Sequence, residues 1–341
     1  MTIAGRDLEE RVYIIAELSA NHNRDFELAK KAVRVAHEAG CDAIKLQTYT
    51  PDTLTLDVKN DWFKASDLWE GEYLYDLYGR ACMPWEWHAP LKAYADTLGI
   101  DLFSSPFDAT AVDLLESLEV PAYKIASYEI TDIPLIAYAA SKGRPILLST
   151  GIAGEEDIRL AVQTCRKAGN DQIILLKCTS AYPAPPESMN LRTIPDLAER
   201  FGVVAGLSDH TLGTEAVVAA VALGARVIEK HFTPDPAVET PDSAFSLSPE
   251  GLKEMVRSVR RAEKMLGGVD YTEKSKQYAR SLFVSRDVKK GEPFTPENIR
   301  SIRPGNGLHP KYYETLLDTP AQCDISAGTP LDATMVTPLP E

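Results

Sequence analysis

The chain is short of positive charge. Thirty-six Lys and Arg stand against 50 Asp and Glu in 341 residues, a formal net charge of −14. Sequence-independent binding to nucleic acid or to anionic lipid needs a basic face, so this balance argues against both. An anionic small substrate is still accommodated if a few cations are focused in one cleft. Cysteine is scarce too: Cys41, Cys82, Cys165, Cys178 and Cys323 are odd in number and show no CxxC spacing, as expected of reduced core thiols in a cytosol. No apolar run reaches transmembrane length, and the early VYIIA run is preceded by acidic residues and interrupted by Glu17, so a cytoplasmic protein is expected. Neither GxGxxG nor GxxxxGK[ST] follows any strand-like run, which counts against an open dinucleotide- or nucleotide-binding sheet.

What the chain does contain is an alternation. Eight apolar, strand-like runs stop at polar residues: VYIIAEL at Glu17, AIKLQ with Lys45 and Gln47, DLFSS at Ser105, AYKIAS with Lys124 and Ser127, PILLST at Ser149, QIILLKC near Ser180, VVAGLSDH at His210 and RVIEKH at His231. Between them lie helical periodicities over 26–39, 88–98, 110–118, 134–142, 155–168, 191–200, 215–223 and 249–266, most ending at a glycine. Eight strand–helix units with right-handed crossovers close most economically as a (β/α)8 TIM barrel over residues 1–267, an open doubly wound sheet being the alternative. A barrel needs roughly 250 residues, so a second, smaller module is expected. After a charged linker at 268–280, residues 281–341 read as a small, mostly β domain. Within it DVKKGEPFTPENI (287–299) and DISAGTPLDATMV (324–336) echo one another in register.

In a parallel barrel the C-terminal strand ends meet at one mouth, so residues scattered from 17 to 231 can share a site. His210 and His231 end consecutive strands and could bind one divalent cation, with open positions suiting Mn²⁺, Mg²⁺ or Co²⁺. Lys45 and Lys124 lie within apolar strands, a costly placement unless each meets an anion. Ser105, Ser127, Ser149 and Ser208 add hydroxyls at neighbouring ends, and the set reads as a phosphate and carboxylate site. Glu17 and Glu129 are strand-end carboxyls suited to proton transfer. Asp209 and Asp242 could orient metal ligands, whereas Lys230 should point away from His231 by strand alternation. The long segment 50–85 carries Trp62, Trp69, Tyr73, Tyr75, Tyr78 and Trp85, a helical insertion on the rim that could also wall a pocket.

With AELSANH (16–22), KLQTYTPDTLTLD (45–57), SSPFD (104–108), YKIAS (123–127), STGIA (149–153), KCTSAYP (177–183), GLSDHT (206–211) and IEKHF (228–232), the chain resembles the sialic acid synthase family, which condenses phosphoenolpyruvate with an amino-sugar aldehyde. RSLFV (280–284) and RSIRPGNGL (300–308) resemble that family's C-terminal antifreeze-like (SAF, β-clip) domain. The first three motifs, with WEWH (85–88), are most like the pseudaminic branch; Ser180 stands where the sialic and legionaminic branches more usually have Asn.

The resemblance implies His210 and His231 as metal ligands and Lys45, Lys124, Ser105, Ser127, Ser149 and Ser208 as the phosphoenolpyruvate site. It also implies Glu17 and Glu129 for water and proton handling, Gln47, Tyr182 and Asp242 for sugar contacts, and Arg303 reaching the acetamido end across a domain-swapped homodimer. The expected reaction joins phosphoenolpyruvate to 2,4-diacetamido-2,4,6-trideoxy-L-altrose, the alternatives being the same chemistry on N-acetylmannosamine or a legionaminic precursor. A metal-dependent sugar isomerase would leave the lysines without an anion, and a non-catalytic carbohydrate-binding barrel would have no need of the buried charges.

Overall fold

The structure, a computed structural model, describes residues 1–65 and 70–336. It divides into two compact units, Met1–Gly267 and Gly268–Glu341. In the first, eight parallel strands close into a barrel: β1 (Tyr13–Glu17), β2 (Ala43–Thr48), β3 (Asp101–Pro106), β4 (Tyr123–Ile125), β5 (Ile146–Ser149), β6 (Ile173–Cys178), β7 (Val204–Asp209) and β8 (Val227–His231). Each neighbours the next, and β8 pairs with β1. Around them run α1 (Phe26–Ala39), α2 (His88–Leu98), α3 (Ala109–Ser117), α4 (Ile133–Ala140), α5 (Glu155–Lys167), α6 (Thr193–Phe201), α7 (Glu215–Ala222) and α8 (Pro249–Leu266).

Local chemistry sets the boundaries. Asp25 caps α1 by accepting from the N–H groups of Glu27 and Leu28, and Gly40 ends the helix in the left-handed region at φ 86°. Asp108 caps α3 in the same way, and Ser248 caps α8 with Pro249 at its first turn. Leu, Ile, Val and Ala from strands and helices form one continuous buried core. Gly206 is needed where β7 approaches β8: a Cβ there would lie 2.2 Å from the Val227 carbonyl oxygen.

A short hairpin, Thr2–Ile3 with Arg6–Asp7, precedes the barrel and has too little periodicity to be read from sequence. Arg6 pairs with Asp101 at the start of β3 (3.1 Å), so the hairpin lies at the N-terminal strand ends, opposite the mouth. That leaves the C-terminal ends to the long insertion after β2, which contains helices Pro51–Leu54 and Leu74–Ala81. Among the described residues no helix is long and apolar enough to cross a membrane.

The second unit contains an antiparallel pair, β9 (Ser281–Val284) and β10 (Ile299–Ile302). The sequence echo becomes a local two-fold there. Val288 and Ile325 exchange both backbone hydrogen bonds, Asp287 accepts from Ala327 N–H, and Asp324 accepts reciprocally from Lys290 N–H. Gly291 and Gly328 hold matching positive φ values of 86° and 83°. Phe294 and Leu331, mates under the same operation, are fully buried in a core separate from that of the barrel. So small a core tolerates little loss. Phe294→Ala should cost about 3–5 kcal/mol, enough to open this unit to protease while Met1–Gly267 remains as resistant as in the parent; cleavage mapped by mass spectrometry would check it.

Candidate active site

Barrel register brings the strand-end charges together. Glu17 lies beside Lys45 across β1–β2 and beside His231 across β8–β1, while Ser208 is opposite Glu229 across β7–β8. The result is a buried network. The Lys45 ammonium is 3.0 Å from the Glu17 carboxylate and 3.7 Å from that of Glu229, and it donates to Ser105 Oγ at 3.1 Å. Lys124 lies 3.6 Å from the same Glu229 oxygen. Ser208 donates to Glu229 at 3.0 Å, and Gln47 donates to Glu17 at 2.9 Å.

The partners decide each group's protonation. For Glu17 burial dominates over Lys45, and Glu229 adds repulsion, so its pKa is raised to about 7. Glu129 is likewise pushed to about 7 by burial, against the pull of Lys124. Burial alone would lower Lys45, but Glu17 and Glu229 together outweigh it and raise its pKa. Lys124 has a single close carboxylate, so burial prevails and its pKa falls. Glu229, between two ammonium groups, is lowered despite its burial.

These groups line a cavity of about 610 Å³ at the barrel mouth, a size typical of small-ligand sites. Of the residues singled out from the sequence, Glu17, Lys45, Gln47, Lys124, Ser127, Glu129, Ser149, Ser180, Tyr182, Ser208, His210, His231 and Asp242 all line it. Ser105 stands behind Lys45, as the donor contact shows, and is not part of the lining. Arg303 belongs to the second unit, after β10. Among the described residues, five buried atoms in the lining make no hydrogen bond: Glu17 Oε2, which has only its ion pair with Lys45, and Glu129 Oε2, Ser149 Oγ, Glu229 Oε2 and His231 Nδ1. Unsatisfied polar atoms converging on one cavity mark a place for a polar ligand. Ser127 and Ser180 share a 2.8 Å hydrogen bond, and a Cβ on Gly151 would fall 2.4 and 2.2 Å from their hydroxyl oxygens, so glycine keeps that wall open.

His210 and His231 face each other with ring centroids 5.2 Å apart. His210 Nδ1 bonds the Thr179 carbonyl at 2.9 Å, leaving Nε2 for a ligand. Burial lowers both imidazole pKa values and so keeps their lone pairs available. No group of three or more His, Cys, Asp or Glu poised for a metal occurs among the described residues. Two neutral nitrogens with the remaining positions left to water or substrate oxygens fit a labile divalent cation and not a closed structural zinc site.

Asp209, a candidate for orienting the histidines, is not part of the lining: it faces the other way and pairs with Lys230 at 2.6 Å. Two sequence readings need correction. Glu229, passed over, is central to the charge network; it stands two residues before His231, so strand alternation puts both on one face. The aromatic wall is mostly elsewhere. Trp62 is 90% exposed, Tyr75 bonds Asp52, Trp85 donates to the Tyr49 carbonyl and Lys59 covers Tyr73. Trp69 lies outside the described residues. Of the described members of that set only Tyr78 lines the cavity, beside Leu54, Ala65, Leu74, Leu77 and Ala81, so the described part of the insertion offers a largely aliphatic wall.

A family profile described as "NeuB family" matches residues 32–271, and one described as "SAF domain" matches residues 279–337. The chain is 47% identical to the pseudaminic acid synthase of Helicobacter pylori over 94% of its own length and 96% of the relative's. It is 37% identical to the N,N'-diacetyllegionaminic acid synthase of Legionella pneumophila, covering 94% and 93% of the two chains. The crystal structure of N-acetylneuraminic acid synthetase from Leptospira borgpetersenii superposes with a TM-score of 0.73 at 30% identity, over 81% of this chain and 93% of that one.

The Glu129 pKa sets a sign that stability measurements can read. Its folded value of about 7 exceeds the ordinary 4.5, so the folded state holds the proton more tightly and ligand-free stability falls as pH rises from about 4.5 through 7. Glu129→Gln stays neutral and should therefore stabilise the ligand-free protein at pH 8 by roughly 1–3 kcal/mol. The gain should shrink as pH falls and vanish only below about pH 4, under the unfolded value, where wild-type Glu129 is protonated in both states; denaturation curves at pH 8 and below about pH 4 measure it.

Proposed function

The chain belongs to the NeuB family, and on that premise we propose that it condenses phosphoenolpyruvate with 2,4-diacetamido-2,4,6-trideoxy-L-altrose and water, giving pseudaminic acid and phosphate. The observation that carries this reading is one cavity holding two buried lysines beside two neutral histidines, an anion site next to a place for a Lewis acid. The choice of sugar draws on the 47% identity to a pseudaminic acid synthase against 37% to a legionaminic acid synthase. The aliphatic face of Leu54, Ala65, Leu74, Leu77 and Ala81 supports a 6-deoxy sugar over N-acetylmannosamine, because it meets a methyl group where the sialic precursor presents a hydroxyl.

In this reading Lys45 and Lys124 neutralise the phosphate and carboxylate of phosphoenolpyruvate, with the hydroxyls of Ser127, Ser149 and Ser208 around them. Ser105 holds the Lys45 ammonium. His210 and His231 would hold Mn²⁺, Mg²⁺ or Co²⁺, which when bound supplies polarisation of the aldehyde oxygen. The enol carbon of phosphoenolpyruvate forms the new carbon–carbon bond at the aldehyde, and positive charge develops at the enol-ether carbon. Water adds there, one proton passing to a carboxylate and from it to the alkoxide formed from the aldehyde oxygen; the carbon–oxygen bond to phosphate then breaks, phosphate leaving with the second water proton, and the ketone remains. Glu129 and Glu17 flank that centre with pKa values near neutrality, suited to taking and returning a proton. Gln47, Asp242 and Tyr182, the last tilted against His210 with centroids 4.4 Å apart, face the sugar.

Phosphate release with purified sugars tests the whole reading. The diacetamido-trideoxy-altrose should exceed N-acetylmannosamine in kcat/KM by roughly tenfold or more, and chelation should stop release until a divalent cation is returned. A preference for N-acetylmannosamine would remove the pseudaminic assignment, and undiminished turnover after exhaustive demetallation would remove the metal.

We further propose a homodimer in which Arg303 of the partner subunit completes each sugar site. Arg303→Ala and His210→Ala, each inactive alone, should regain part of the activity after subunit exchange, since one hybrid site keeps both residues. Proven exchange without recovery would exclude the arrangement.

A further inference from the structure

The outer face of β7 and β8 carries an ion pair that the chemistry above does not use. Lys230 and Asp209 are both fully buried, at 0% side-chain exposure, and lie 2.6 Å apart. They are register partners, one rung before His231 and His210. Lys230 also donates to the Thr211 carbonyl. Asp209 in turn accepts from the Thr211 N–H at 2.9 Å and the Thr211 hydroxyl at 3.1 Å. Both chain neighbours of His210 are therefore fastened to the residue that precedes His231. On the inner face the Ser208–Glu229 hydrogen bond ties the preceding rung.

A buried ion pair contributes little net stability relative to apolar residues of the same shape, because desolvation offsets the attraction. An outer barrel face packed by apolar side chains would serve the fold as well. What apolar packing would not do is fix the peptide around His210, which lies just past the end of β7 where ladder hydrogen bonds no longer hold it. Two ligands from adjacent chain segments bind one ion well only if their separation is set beforehand.

We propose that Asp209, Lys230 and Thr211 form a clamp that sets the spacing of His210 and His231, making them positioning residues for the divalent cation. The inference rests on the metal reading above.

Cobalt(II) added to the full-length, metal-free chain and followed by its visible absorption provides the test, with circular dichroism to confirm folding. The wild type should bind and give a defined spectrum. Asp209→Asn combined with Lys230→Met removes the ion pair without leaving a lone buried charge, and should weaken cobalt binding by roughly tenfold or more with an altered spectrum. Thr211→Val keeps the ion pair and the shape but loses the hydroxyl donor, and should weaken binding by a smaller factor; it decides the matter if the double variant does not fold. Phosphoenolpyruvate affinity, read by tryptophan fluorescence, should stay within about twofold of wild type in each folded variant. Folded variants with unchanged cobalt affinity and spectrum would overturn the clamp while leaving the metal site standing. A wild type that binds no cobalt would overturn both.

Discussion

Four buried charges at the barrel mouth, Glu17, Lys45, Lys124 and Glu229, constrain everything around them. Any one alone in that interior would be several kcal/mol out of place. Together they are tolerable only because Lys45 meets Glu17 at 3.0 Å and Glu229 bridges both lysines. That arrangement requires β1, β2, β4 and β8 to end at the same height, which is what closure of eight parallel strands in this register supplies. The balance is incomplete: burial outweighs the pull of Lys45 and leaves Glu17 near neutrality, and burial likewise lowers Lys124, whose close carboxylate is shared with Lys45. A site in this condition gains from an anion that can face both lysines, and the unsatisfied hydroxyl of Ser149 points to the same cavity.

Strand alternation then separates two kinds of work. Residues 208, 210, 229 and 231 face the cavity, while 209 and 230 face away from it and carry a fully buried ion pair. Inner charges are available to substrate; the outer pair has no such use and acts on geometry. The aliphatic side of the cavity comes from the insertion after β2, so barrel and insertion contribute different chemistry to one space.

How far the sequence could be read follows the same division. Barrel elements were legible because the period changes from 2 to 3.6 at each boundary and polar residues mark the strand ends; α1, α2 and α8 have the spans that apolar spacing predicts. His210, His231, Lys45 and Lys124 stood out as residues foreign to apolar strands. Glu229 carries an equally strong signal, since period 2 from His231 places it on the inner face, and the same rule sends Asp209 outward from His210. The insertion resisted reading for a physical reason: its short helices have no repeat long enough to say which aromatics turn inward, so Trp62 points to solvent and Leu77 faces the cavity. The two-fold of the second unit was visible as an echo that includes Asp287 and Asp324, but which backbone N–H each carboxylate accepts from, Ala327 and Lys290 of the opposite copy, depends on a pairing between the copies that the repeat itself does not specify.

The two raised carboxyls are not equivalent, and their surroundings rank them. Glu17 accepts from Gln47 and lies against Lys45, so its orientation is fixed and its proton exchange is tied to that ammonium. Glu129 has one buried carboxyl oxygen with no partner among the described residues, in a short helical turn just after β4. After burial, the strongest influence on it is the charge of Lys124, which would be engaged by a bound phosphate or carboxylate. Anion binding would therefore weaken the pull that stabilises the Glu129 carboxylate and raise its proton affinity as the substrate arrives. A group whose basicity increases on substrate binding, and which has an open oxygen facing the cavity, is better placed than a locked one to take the proton from water. That asymmetry favours Glu129 as the proton-transfer residue and gives Glu17 the task of holding Lys45 in position.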